Sequence, residues 1–324
     1  MNKLPTMGIS LMVGSVKKAK TQMRKCRKGV SMVRNEYIRY FKSKSSIFAF
    51  LLLTALSIPS ILSSLKTKSS FLEVTANPEP GLSASGFLHM EQLIKNYTGF
   101  RIFFDFSLLS EFYTYGYFLV FMAFIGIVLA HLFQTQKENG FGNLIVTRSS
   151  VKKQLKSMLT AQTLYITTLV FASIAAILAL CLAIGGVEFD YLFVGNDERK
   201  LPFVILFIIM HTTLVSLYLS MVNAISALLN VYIRNRLVLQ LMPLCGFTLL
   251  PFVLCSTIAN LFPPIGTFLI PFVTFEFSTS IENLSHRPLS AGTIAHVLMP
   301  IVMYAVFAVI LYWKSIKKHT EDYL

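Results

Sequence analysis

Charged side chains are scarce in this 324-residue sequence. Asp, Glu, Lys and Arg together make 14% of it, against roughly 25% in soluble domains. That shortage excludes an ordinary soluble globule. Cysteine is rarer still. Cys26, Cys181, Cys245 and Cys255 show no metal-ligand spacing and form no pair in a polar loop, so they read as small hydrophobes. The G-x-x-x-x-G-K-[ST] phosphate loop is missing, so this chain does not itself bind ATP in the usual way. H-E-x-x-H and G-x-S-x-G are missing too. The six histidines (His89, His131, His211, His286, His296 and His319) are scattered and read as hydrogen-bonded or interfacial groups. No catalytic residue, metal site or cofactor is expected in this chain.

What is abundant is grease. Hydrophobic residues make 54% of the sequence, and six runs are long enough to cross a bilayer. They lie at about Ser46–Leu65, Tyr113–Phe133, Leu159–Ile184, Leu201–Asn230, Leu237–Leu261 and Ile294–Trp313. A transmembrane barrel is disfavoured, since its strands would alternate over about 10 residues. The centres of the runs carry no acidic or basic residue. That argues against an intramembrane enzyme and against a proton-driven transporter.

The formal net charge of +14 is placed asymmetrically. The N-terminal tail, the loops 134–158 and 231–236, and the C-terminal tail hold 22 Lys/Arg and 4 Asp/Glu. The loops 66–112, 185–200 and 262–293 hold 7 Lys/Arg and 11 Asp/Glu. The positive-inside rule then places both termini in the cytoplasm of a multi-pass plasma-membrane protein. The charge is a topology signal with a pull toward anionic lipid, and nucleic acid is not an expected partner.

The expected fold is therefore an all-α polytopic membrane protein with six transmembrane helices. Residues 31–45, SMVRNEYIRYFKSKS, mix aromatic and basic side chains at helical spacing. They predict an amphipathic interfacial helix carrying Arg34, Tyr37, Arg39 and Phe41 on the inner surface. Residues 262–273, FPPIGTFLIPFV, are apolar, too short to span and bounded by prolines. They predict an external re-entrant segment, over about 262–275, between the fifth and sixth helices. Residues 1–30 carry no cleavable-signal pattern and read as an extension of unassigned role. The span-bearing domain covers 31–318, and 319–324 form a cytoplasmic tail.

Small and polar residues recur inside the spans. Ser216, Ser220 and Ala224 follow one another every four residues, with Asn223 beside them. Thr163 and Thr167 sit near the inner end of the third run. Such faces pack helices within one subunit, line a translocation path or form a dimer seam. Pro243 and Pro251 interrupt the fifth run and predict kinks.

The segment 134–157, QTQKENGFGNLIVTRSSVKKQLKS, is too polar to enter lipid and lies on the basic face. It offers charged contacts in Lys137, Glu138 and Arg148. Phe141, Leu144 and Ile145 are apolar anchors, and Gly140 and Gly142 permit a turn. Lys152, Lys153 and Lys156 follow, at the level of lipid phosphates.

The order of these features resembles the permease subunit of type-2 ABC exporters, over about residues 32–318. The most specific match is Glu138, Gly140, Leu144-Ile145, Arg148-Ser149 and Lys152-Lys153. Val146-Thr147 stands where that family usually has a Pro. The resemblance implies a separate ABC ATPase that binds MgATP, coupling through Lys137, Glu138, Gly140, Phe141, Leu144, Ile145 and Arg148. It also implies a second permease copy or paralogue and alternating access. The low-charge spans suit a hydrophobic or amphipathic cargo such as an antimicrobial peptide or bacteriocin. The other reading is a non-transport membrane protein, an immunity or sensory partner without ATPase coupling.

Overall fold

The computed structural model describes residues 32–76, 94, 98–103, 119–130, 151–187, 192–194, 197–199, 201–233, 235–246, 257, 261 and 291–322. The residues expected to couple to an ATPase, Lys137, Glu138, Gly140, Phe141, Leu144, Ile145 and Arg148, lie outside the described residues. So do the extension 1–30 and the segment 262–275 expected to be re-entrant.

The described chain is almost wholly helical. Helix α1 covers 32–41 and leads through a two-residue turn into α2 (Lys44–Ala55). Ser43 caps α2, accepting from the Ser46 amide at 3.2 Å. This fills one of the donors a helix start leaves open. Helix α3 (Ser57–Ala76) continues after Leu56. It runs past the expected end of the first span at Leu65 to include Lys66, Lys68 and Glu73. The short helical turn α4 covers Gly99–Arg101. Helix α5 occupies 119–130, and its last part, Ile125–Ala130, is π-helical.

Helix α6 (Val151–Gly185) has 35 residues, about 52 Å at the helical rise. That exceeds a hydrocarbon core of ~30 Å. The surplus begins with exposed Lys152, Lys153 and Lys156, so the last basic residues of the segment 134–157 are already helical. An antiparallel ribbon follows, β1 (Leu192–Val194) with β2 (Asp197–Arg199), Leu192 opposite Arg199. This ribbon is an addition to the all-α expectation. Helix α7 (Leu201–Tyr232) comes next, then α8 (Arg236–Leu244) and α9 (Ala291–Asp322). Asn235 caps α8 by accepting from the Leu237 amide at 3.0 Å.

Among the described residues, three stretches are long and apolar enough to cross a membrane: Lys44–Ala76, Lys152–Gly185 and Ile208–Tyr232. They fit a membrane location. Of the apolar stretch in α7, 67% is buried, against 33% for the α6 stretch and 29% for Lys44–Ala76. Helix α7 is therefore the central one, flanked by α6 and α9.

Two glycine contacts set the packing distances. A Cβ on Gly126 would meet the Gln240 carbonyl oxygen, so α5 and α8 touch backbone to backbone there. A Cβ on Gly185 would lie 2.6 Å from the Gly99 Cα, and the Gly99 amide donates to the Gly186 carbonyl at 3.2 Å. Gly186 has φ +83°, the left-handed geometry that ends helices cheaply only with glycine.

Candidate functional site

Two buried amides, Gln162 and Asn223, meet at one place. Asn223 of α7 has an amide nitrogen with two hydrogens. One goes to the Gln162 side-chain oxygen of α6 at 3.1 Å, and the other to the Tyr312 hydroxyl of α9 at 3.1 Å. The Tyr312 hydroxyl also meets the Thr163 hydroxyl at 2.8 Å. A hydroxyl carries one proton. Thr163 has its own backbone carbonyl acceptor, Leu159, at 3.0 Å. Thr163 directs that proton between the Leu159 carbonyl and the Tyr312 oxygen, so the phenol accepts from both Asn223 and Thr163. The phenol of Tyr40 in α1 lies beside Gln162.

Gln162, Thr163, Asn223 and Tyr312 thus form a neutral network across three helices, with Tyr40 of α1 against it. Gln162 and Asn223 are 1% and 3% exposed. Unpaired, such groups would be costly away from water; paired, they fix one register among the helices. Below the network, Met158, Leu159 and Ala227 pack with Leu155, Tyr312 and Ile316.

Chain direction gives the network its meaning. Tyr40 precedes the start of α2. Gln162 is near the start of α6. Asn223 and Tyr312 lie toward the C-terminal ends of α7 and α9. Four helix ends that carry or border the basic segments are therefore held at one level. At the far end of α6, Gly185 and Gly186 touch Gly99. That contact joins the two acidic-rich loops expected on the other face.

The aromatic side of α1 rests on protein as well. Tyr37 donates to the Thr168 hydroxyl at 3.0 Å, and Phe41 meets Tyr165 edge-on at 5.5 Å. Tyr40 stacks at a tilt 5.8 Å from the same ring. Arg34, Arg39, Lys42 and Lys44 stay exposed. Burial raises the Tyr40 phenol above its ordinary value, with a further push from Glu36. Burial also raises the Glu36 carboxyl, against the pull of Arg39 3.6 Å away.

The other residues singled out in the sequence are placed as follows. Ser216, Ser220 and Ala224 are buried within the chain. The two serines donate to the carbonyls four residues back, at 2.7 Å each. Thr167 does the same at 3.0 Å and is half-buried. The ridge is thus already covered by helices of the same chain, with Asn223 and Thr163 drawn into the network. Gln162 and Tyr312 are not singled out by the sequence. The signal for Gln162 is its amide inside an apolar run beside Thr160 and Thr163; Tyr312 reads as an ordinary interfacial aromatic.

Among the described residues no group of His, Cys, Asp and Glu could hold a metal ion. No family model, curated protein or solved structure matches this chain.

Proposed function

We propose that this chain is the membrane-spanning subunit of an ATP-driven exporter in a bacterial plasma membrane. Six spans place both termini in the cytoplasm, and a separate ABC ATPase docks on the segment 134–157. Two such permease subunits, identical or paralogous, would pair with the ATPases, and the cargo is hydrophobic or amphipathic, such as an antimicrobial peptide.

The observation that carries this reading is the convergence at the Gln162–Asn223–Tyr312 network. A membrane domain moved by a soluble motor needs its inner helix ends tied together, so that a push on one reaches the others. Here α6, α7 and α9 meet at a neutral network, with α1 against it, beside the basic start of α6. The absence of a phosphate loop and of mid-span charge in the sequence supports an external energy source. The expected external re-entrant segment fits the same architecture.

The test is co-expression with candidate ABC ATPases, followed by purification and measurement of ATP turnover in vesicles. One ATPase should co-purify, and reversing the charges of Lys137, Glu138 and Arg148 together should lower coupled transport at least tenfold. If no ATPase binds, or if the triple reversal leaves transport intact, the coupling reading fails. An immunity or sensory partner without ATPase coupling then takes its place.

A further inference from the structure

An open cavity of about 640 Å³ lies between α2, α5 and α8. Its size is that of a ligand cavity, roughly 300–1,000 Å³. Phe48, Leu52, Val120, Phe124 and Leu244 are among its walls. Among the described residues, Lys44 is the one charged residue lining it and no acidic residue does so. Lys44 stands at the first position of α2, and Leu52 lies eight residues on, about 12 Å along the axis. The cavity is thus a greased slot with a cation at one end.

We infer that this slot binds an anionic phospholipid, with one acyl chain along Phe48 and Leu52 and the phosphate at Lys44. Three features of the cavity commit it to that occupant. Apart from Ser45 and Lys44 at one end, the walls offer an acyl chain contacts and give a polar peptide little to pair with. The cation sits where α2 begins, at the level of the headgroups for a helix that crosses the membrane. Lys42 and Arg39, also exposed, add positive charge on the same approach. A neutral lipid would satisfy the walls and leave the lysine unused.

The test uses the full chain in detergent micelles, with Trp313→Phe as background and Phe48→Trp as reporter. Brominated phosphatidylglycerol should quench the introduced indole at a concentration at least fivefold lower than brominated phosphatidylcholine. Lys44→Gln should abolish that difference while leaving phosphatidylcholine quenching unchanged. Ala123→Phe, which fills the slot, should weaken quenching by both lipids. Should that variant fail to fold, the Lys44→Gln comparison still decides. Equal quenching by the two lipids in the Lys44 protein overturns the proposal, since ordinary annular lipid then explains it. So does displacement by millimolar inorganic phosphate, which would mark a free-anion site. Concentration-dependent shielding of the indole from both lipids would mean that a second copy covers the slot, with the same result. No ATPase enters the experiment, so its failure and the failure of the transport reading are separate.

Discussion

Helix α7 and the pair α2–α3 are both long and apolar, yet they meet their surroundings in different ways. In α2–α3 the buried positions follow one stripe: Ser46, Ala49, Leu53, Ser57, Ile61 and Ser64. Ile47, Phe48, Leu51, Ile58 and Leu62 are exposed. Helix α7 has no such free side over its middle. Leu214, Val215, Ser216, Tyr218, Leu219, Ser220, Val222, Asn223 and Ala224 are all buried. The difference shows what decides burial when the solvent is lipid. Apolar bulk gains little by hiding from hydrocarbon, whereas small and polar residues gain close backbones and hydrogen bonds. Ser46, Ser57 and Ser64 lie inward in α2–α3, as Ser216 and Ser220 do in α7; the number of faces that carry small or polar residues sets how many neighbours each helix takes.

The same substitution in the two elements should break this comparison most sharply. Ser220→Leu overfills a site that is 2% exposed and should cost about 1–3 kcal/mol. Ser63→Leu, on the exposed side of α3, should stay within about 0.5 kcal/mol. Thermal unfolding of the two variants in the same detergent measures both. Equal losses would show that α2–α3 is as enclosed as α7.

The network gives a smaller effect. Asn223→Ala removes the donors to Gln162 and Tyr312 and should cost about 1 kcal/mol. Tyr312→Phe should cost less, and the double variant should cost less than the two single losses together. Strict additivity in that cycle would deny that the two residues share one network.

The smallest effect concerns pH and α1. Burial favours the protonated Glu36 carboxyl, so the folded chain keeps that proton to higher pH than the unfolded chain. The stability it contributes is full below the ordinary value of 4.5 and is lost as pH rises through the raised folded value. Glu36→Gln should flatten that decline, read from unfolding midpoints between pH 4 and about 7. A steeper decline in the variant would mean that the Arg39 ion pair outweighs burial.

Much of the helix layout is legible in the sequence, because 20-residue apolar runs have few other outcomes. The runs Leu159–Ile184, Leu201–Asn230 and Ile294–Trp313 lie inside α6, α7 and α9. Helix ends are less legible. Thr67 and Ser70 donate to the carbonyls of Ser63 and Lys66, so α3 continues through polar residues where hydropathy falls. The ribbon between Leu192 and Arg199 has too few residues to show a period. The candidate site is half legible. Thr163, Asn223 and the serine ridge are visible as polar faces, but their partners Gln162 and Tyr312 come from α6 and α9. Pairing over 61 and 89 positions leaves no mark in a single sequence. The aromatic side of α1 shows the same limit: amphipathicity predicts a buried face without saying whether lipid or protein buries it.

Helix α6 is a seesaw by its dimensions. Gln162, where the network grips it, lies 10 residues from Lys152 and 23 from Gly185. At the helical rise these arms are roughly 15 Å and 35 Å. A tilt about that pivot displaces the Gly185 end more than twice as far as the Lys152 end. The Gly185 end is not free to swing alone, because the backbone contact there carries the turn at Gly99 with it.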